Sequence, residues 1–302
     1  MQLQKVLIPL DGSRLAERCL VYVPALVRIR GLQVTLLSVV DEDEDVKMLS
    51  QSEATDRERN VLQTYLHEVA TDMKKHLGIE VATEVLVGRP ADLILERVQT
   101  SRPDLLIVST HGRSGISRWR IGSVADKLIR GAGCTTLVVG PHADDKGWLE
   151  TDALAAFKKI LVPLDGSPLS EQALETAQIL AAQFDSEIHL VRIVSLPVYG
   201  NGFVMESGYS AQLIDNVMEG AKEYVARIAK DVKAPGGTTT AAIMGTAAIT
   251  LESYIEENGI DLVVMTSHGR GGIVRAALGS VTDRLLGGAA PVMVVRATAA
   301  AK

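Results

Sequence analysis

The sequence predicts two tandem doubly wound α/β domains, each a mainly parallel five-stranded sheet with helices on both faces. Three observations carry that expectation. First, a unit recurs. Val6-Leu7-Ile8-Pro9-Leu10-Asp11-Gly12-Ser13 returns as Ile160-Leu161-Val162-Pro163-Leu164-Asp165-Gly166-Ser167, 154 positions on. Ser109-Thr110-His111-Gly112-Arg113-Ser114-Gly115, ending in Gly122-Ser123, returns as Thr266-Ser267-His268-Gly269-Arg270-Gly271-Gly272, ending in Gly279-Ser280, 157 positions on. Second, short apolar runs alternate with segments of helical period. Third, those runs lack polar/apolar alternation, as expected of strands covered on both faces. Five strands per repeat are too few for an eight-stranded barrel, so each sheet is expected to be open.

Each element follows from local chemistry. Lys5 to Leu10 reads as a buried strand that emerges at Asp11. Ser13 suits a helix N-cap, and Leu15, Ala16, Cys19, Leu20 and Val23 have helical spacing. Pro24 falls inside that pattern and is expected to kink or end the helix. Gln33 to Val39 is the second strand. Residues 52–77 form a long helix with an apolar stripe that includes Val61, Leu62, Tyr65, Leu66, Val69 and Met73, ended by Gly78. Glu80 to Val87 is the third strand, and Pro90 opens the next helix. Asp104 to Val108, a helix through 124–129, and Thr135 to Val139 complete the repeat.

The second repeat has the same order. Its strands are expected near 159–164, 187–194, 238–243, 261–266 and 292–295, and its helices near 169–183, 211–232, 247–257 and 274–286. Residues 1–142 are read as the first domain, 143–156 as a linker anchored by Trp148, and 157–302 as the second domain. Ser195 to Ser210, rich in Gly and aromatic residues, reads as a surface loop or lid.

Composition narrows the function. The formal net charge is −6 and no basic block occurs, which argues against a nucleic-acid partner. Aromatics make up 4% of the chain, too few to suggest base-stacking platforms. Cys19 and Cys134 lie in no CxxC pattern and read as small core residues. Neither a cleavable signal pattern nor a long uncharged apolar segment is present, so the expectation is a cytoplasmic protein without a membrane partner.

In an open α/β sheet, ligands gather beyond the C-terminal strand ends, where strand order reverses. The first strand delivers Asp11, and the loop after the fourth delivers Gly112 and Arg113, followed by Gly122-Ser123. Asp165, Gly269, Arg270, Gly279 and Ser280 are the second set. Glycines allow close backbone approach. N–H groups at the start of the following helix suit a phosphate. The bland alternative is ordinary turns and caps. Arg113 and Arg270 either neutralise an anion or face solvent. Asp11 and Asp165 either accept from a ribose hydroxyl or base amine, help hold a metal, or cap a turn. Backbone around Val39-Val40 and Ile193-Val194 suits the edge of a base, and Gly88 and Gly245 leave room for a sugar. His111 and His268 have no nucleophile or triad carboxylate beside them in the pattern, so no catalytic residue is assigned. No compact metal-ligand cluster is evident. GxxxxGK[ST] is absent, and no GxGxxG follows the first strand.

At these residues the chain resembles a tandem universal stress protein of the nucleotide-binding branch, in two copies that span nearly all of it. The family's G-x-x-G, nine residues, G-[S/T] motif matches at Gly112 with Gly122-Ser123 and at Gly269 with Gly279-Ser280. Its first glycine falls on Ser109 and Thr266. The resemblance implies strand order 3-2-1-4-5, Asp11 and Asp165 beside a nucleoside, and the motif glycines and serines beside phosphate. It implies ATP or AMP as ligand, with Mg2+ held through the phosphates. It implies a stress-response or signalling role without dedicated catalysis, and fifth strands that pair with each other. A protein signalling partner and a homodimer of tandem chains are further expectations. The alternatives are a weak ATPase or phosphotransferase and a nucleotide-independent scaffold.

Overall fold

The computed structural model describes residues 3–41, 51–110, 121–140, 148, 157–195, 211–266 and 278–296. Contacts divide the chain into two compact units, built on the first repeat and on the residues from Phe157.

The first repeat runs β1 (Lys5–Pro9), α1 (Arg14–Glu17), a 3-10 segment (Arg18–Tyr22), α2 (Val23–Leu26), β2 (Gln33–Asp41) and α3 (Gln51–Leu77). It continues with β3 (Val81–Gly88), α4 (Pro90–Ser101), β4 (Leu105–Ser109), α5 (Ser123–Gly131) and β5 (Thr135–Val139). The strand order is β3-β2-β1-β4-β5, which is the 3-2-1-4-5 expected. All four pairings are parallel, with Leu7 opposite Thr35 and Val6 opposite Leu105. Strands β4 and β5 are buried almost throughout, which explains their unbroken apolar runs.

Pro24 does break its helical pattern. Ser13 caps α1, its hydroxyl accepting from Ala16 N at 3.1 Å, but the turn tightens to 3-10 and restarts as α2 with Pro24 in the first turn. The stripe of α3 is narrower than its sequence suggests. Leu62, Leu66, Val69 and Met73 are buried against the sheet, whereas Val61 is 61% exposed.

The second repeat runs β6 (Lys159–Pro163), α6 (Pro168–Glu171), α7 (Ala173–Phe184), β7 (Glu187–Val194) and α8 (Ala211–Ala229). It ends with β8 (Thr238–Met244), α9 (Ala247–Asn258), β9 (Leu262–Thr266), α10 (Ser280–Leu285) and β10 (Val292–Val295). Its strands follow the same 3-2-1-4-5 order, β8-β7-β6-β9-β10. The first compact unit also takes in Leu286–Arg296, so β10 belongs to it. There β10 pairs antiparallel with β5, Met293 opposite Leu137. Arg296, just past β10, donates to the carbonyls of Arg130 and Ala132 at 3.3 and 3.2 Å.

One clamp recurs at the N-terminal strand ends. Asp104 accepts from the N–H groups of Gln4 and Lys5, both at 2.9 Å. Asp261 does the same for Lys158 and Lys159, at 2.7 and 3.1 Å. Burial raises the Asp261 carboxyl, opposed by those backbone donors. In each repeat the start of the fourth strand thus holds the start of the first.

Candidate functional site

The loop after the first strand has one design in both repeats. Gly12 and Gly166 take φ of 81° and 85°, a left-handed conformation that glycine adopts freely. That turn folds each aspartate back on its own backbone. Asp11 Oδ1 accepts from Ser13 N at 2.9 Å, and Asp165 Oδ1 from Ser167 N at 2.9 Å. In the second loop Ser167 Oγ also donates to Asp165 Oδ1 at 2.6 Å, and Ser170 Oγ donates to Ser167 O at 2.8 Å. Ala16 stands where Ser170 does.

In the first repeat a cavity of about 300 Å³ opens beyond the C-terminal ends of β1, β2 and β4. Asp11 contributes from β1, Val39 and Asp41 from β2, and Thr110 from β4, with Gly122 and Ser123 at the start of α5. Apolar cover comes from Leu37, Ile94, Val108 and Leu128. This is the reversal of strand order, since β1 lies between β2 and β4.

Gly122 differs from the expectation in one respect. Its N–H is committed to Thr110 O at 2.8 Å, so it does not donate into the cavity. Its lack of a side chain matters more: a Cβ would meet Thr110 O at 3.3 Å. As N-cap of α5 it accepts from Asp126 N at 2.9 Å. The N–H groups of Ser123, Val124 and Ala125 have no acceptor within the helix, as at any helix start, and these residues line the cavity. Donors for an anion therefore come from the three residues after Gly122.

The other sites read from sequence fall as follows. The Val40 side chain is buried, and its neighbour Val39 lines the cavity. Gly88 closes β3 opposite Asp41. In the second repeat Val194 is buried, and its carbonyl accepts from Gly245 N at 3.0 Å. Gly279 accepts from Asp283 N at 2.9 Å ahead of Ser280, the same cap as Gly122. Gly112, Arg113, Gly269 and Arg270 lie outside the described residues, as do His111, His268 and 196–210. Asp41 heads an acidic run, 41–45, that reads from sequence as a solvated loop or else a metal or partner patch, yet it ends β2 and lines the cavity. Thr110 and Ile94 were not assigned a ligand role from sequence, because only the fold brings them to the strand ends.

Two further groups bear on chemistry. Burial raises both thiols, Cys134 to about 11, which favours their protonated form. At the start of β7, His189 is buried, with Nδ1 2.9 Å from the Tyr254 hydroxyl and Nε2 3.2 Å from Glu187 Oε1. Thr239 donates to Glu187 at 2.5 Å and holds that carboxyl below its ordinary range, aided by His189. Among the described residues, no group of three His, Cys, Asp or Glu is placed to hold a metal, and no helix is long and apolar enough to cross a membrane.

The fold and cavity define a tandem doubly wound α/β protein with a ligand-sized cleft at a strand-order reversal. The chain belongs to the universal stress protein family, whose sequence profile matches residues 2–140 and 156–296. A universal stress protein of Mycobacterium tuberculosis is 26% identical over 96% of both chains. One from Methanocaldococcus jannaschii is 31% identical over 45% of this chain and 81% of its own length. The crystal structure of a universal stress protein from Archaeoglobus fulgidus superposes with a TM-score of 0.70 at 19% identity. That match covers 98% of this chain and 99% of the other, and the likeness is one of fold.

Proposed function

We propose that the first repeat binds an adenine nucleotide, ATP or AMP, and that the chain acts through it in stress response or signalling. The observation that carries this is the cavity of about 300 Å³ in which Asp11 and the start of α5 converge. That volume is at the lower end for small-molecule sites. Leu37, Val39, Ile94 and Leu128 offer an apolar bed for a base. A carboxylate beside it suits a hydroxyl or amine donor, and a helix start suits phosphate. Membership of the universal stress protein family points to an adenine nucleotide among ligands of that shape.

In this reading Asp11 meets the nucleoside, the Val40 backbone meets the base edge, and Gly88 leaves room for the sugar. Gly112, Arg113 and Ser123 serve the phosphates, with Gly122 allowing their approach. The corresponding set in the second repeat is Asp165, Val194, Gly245, Gly269, Arg270, Gly279 and Ser280. Mg2+ would be held mainly by phosphate oxygens, which needs few protein ligands. The functional division is into 1–142 and 157–302, in a cytoplasmic chain read by a protein partner.

The test is chemical. Freshly purified protein is denatured, and the released small molecules are identified by mass and quantified per chain. A stoichiometric adenine nucleotide is expected, together with rebinding by calorimetry in the presence of Mg2+. Release of none, with no heat on titration of ATP or AMP, would sink the proposal.

A further inference from the structure

The cavity holds a residue outside the glycine motif. Asp41, the last residue of β2, is exposed and lines the same cavity as Asp11. Its register partner on β3 is Gly88. Gly88 has φ of 143°, and a Cβ there would come within 3.0 Å of Leu93 Cδ1, so a side chain at this position is doubly disfavoured. The β3 flank of Asp41 is thereby kept free of a neighbouring side chain.

The cavity is consequently polarised. On the β1–β2 side stand two carboxylates, which accept hydrogen bonds when ionised. On the β4 side stands the start of α5, a nine-residue helix whose first N–H groups favour negative charge. A ligand with one anionic end and one uncharged, donor-bearing end has a single favoured orientation. The second repeat differs at the position of Asp41. Ser195 stands in place of Asp41, and its hydroxyl donates to Gly245 O at 2.7 Å.

We infer that Asp41 is a specificity-determining residue of the first site, an inference that rests on the nucleotide reading above. Its carboxylate accepts from an uncharged donor of the nucleoside, a ribose hydroxyl or the base amine. It excludes ligands that carry a second anion at that end. The favoured class is the nucleoside 5′-phosphate with a free ribose. Nucleotides also phosphorylated on the ribose 2′ or 3′ oxygen are rejected.

The test uses the full chain and NMR amide shifts, with Gly122 reporting the first cavity and Gly279 the second repeat. Wild type, Asp41→Asn and Asp41→Ala are titrated with AMP, 2′-deoxy-AMP, inosine monophosphate and adenosine 3′,5′-bisphosphate. At Gly122, wild type is expected to bind the bisphosphate roughly tenfold more weakly than AMP, and Asp41→Ala to weaken AMP roughly tenfold and narrow that gap. Asp41→Asn keeps the shape and narrows the gap as well. Whichever analogue, deoxy or inosine, is weak in wild type and no weaker in Asp41→Ala identifies the donor. Titrations at Gly279 stay unchanged, and unshifted amides elsewhere exclude misfolding. If AMP moves Gly122 but neither variant changes its affinity or the bisphosphate gap, the inference is overturned and the nucleotide site stands. If AMP leaves Gly122 of the wild type unmoved, both fall.

Discussion

The two repeats share a fold and an aspartate turn, yet they differ at the helix that follows the first strand. Both repeats open with a four-residue helix, α1 and α6, that ends at matching positions, but in the first repeat a 3-10 segment and the short α2, with Pro24 in its first turn, follow. In the second, Gln178 occupies the matching position, and α7 runs unbroken from Ala173 to Phe184. Gln178 donates to Leu174 O at 3.2 Å and accepts from Lys233 N at 2.8 Å. A second difference is buried. His189, Glu187 and Thr239 form a polar cluster with Tyr254, where the first repeat has Thr35, Gln33 and Ala82 at the same register positions. A third is Asp41 against Ser195 at the cavity rim. Duplication thus preserved the backbone devices that build the strand ends, while side chains diverged between the copies.

That comparison can be broken most directly by moving the proline. Gln178→Pro should cost about 3 kcal/mol or more, because it removes a helical N–H and crowds the Leu174 carbonyl. Pro24→Gln should change stability by less than about 1 kcal/mol, since its helix is already interrupted. Urea unfolding of both variants checks this, and equal effects would mean that the helices tolerate proline alike.

Next in size is the cap glycine. Gly122→Asp puts a carboxylate at the N-cap, where it suits the helix but repels a ligand anion. AMP affinity at the first site should fall roughly a hundredfold, while the crowding of the new Cβ against Thr110 O offsets the gain from the cap, so the thermal midpoint does not rise. Gly279→Asp should leave the first site untouched. Calorimetry with thermal melts separates the two quantities.

The buried cluster yields a smaller effect. Tyr254→Phe removes the partner of His189 Nδ1 and should destabilise the protein by about 2 kcal/mol, read from urea midpoints. Thr35 of the first repeat has no comparable ring to orphan, so Thr35→Val should cost less.

Smallest is the pH dependence of Glu187. Its carboxyl is held below the ordinary value, so its contribution is present above that value and is lost as pH falls through the lowered one. The stability difference between wild type and Glu187→Gln should therefore shrink between about pH 5 and pH 3. A difference constant over that window would mean that Glu187 is not coupled to folding.

Much of the architecture was legible in the chain itself. The duplicated Pro-Leu-Asp-Gly-Ser turn and the unbroken apolar runs of β4 and β5 report local backbone needs and two-sided burial. Such signals are written within a few residues of one another, and so was the interruption at Pro24. The cavity was less legible. Gly122 was marked, but that its N–H is spent on Thr110 O follows from the path of β4 into the next helix. Val40 and Val39 differ by one position and hence by one face of the strand, and only the pairing register decides which one meets the cavity.

The sequence by itself determined the repeat, the α/β class and the glycine and aspartate turns, because each depends on residues close along the chain. The tertiary structure alone decided that Asp41, Ile94 and Thr110 share a wall with Asp11, and that His189 finds Tyr254. Those neighbours come from different strands and helices. Their meeting is set by strand order and register, which long-range packing selects and no local pattern records.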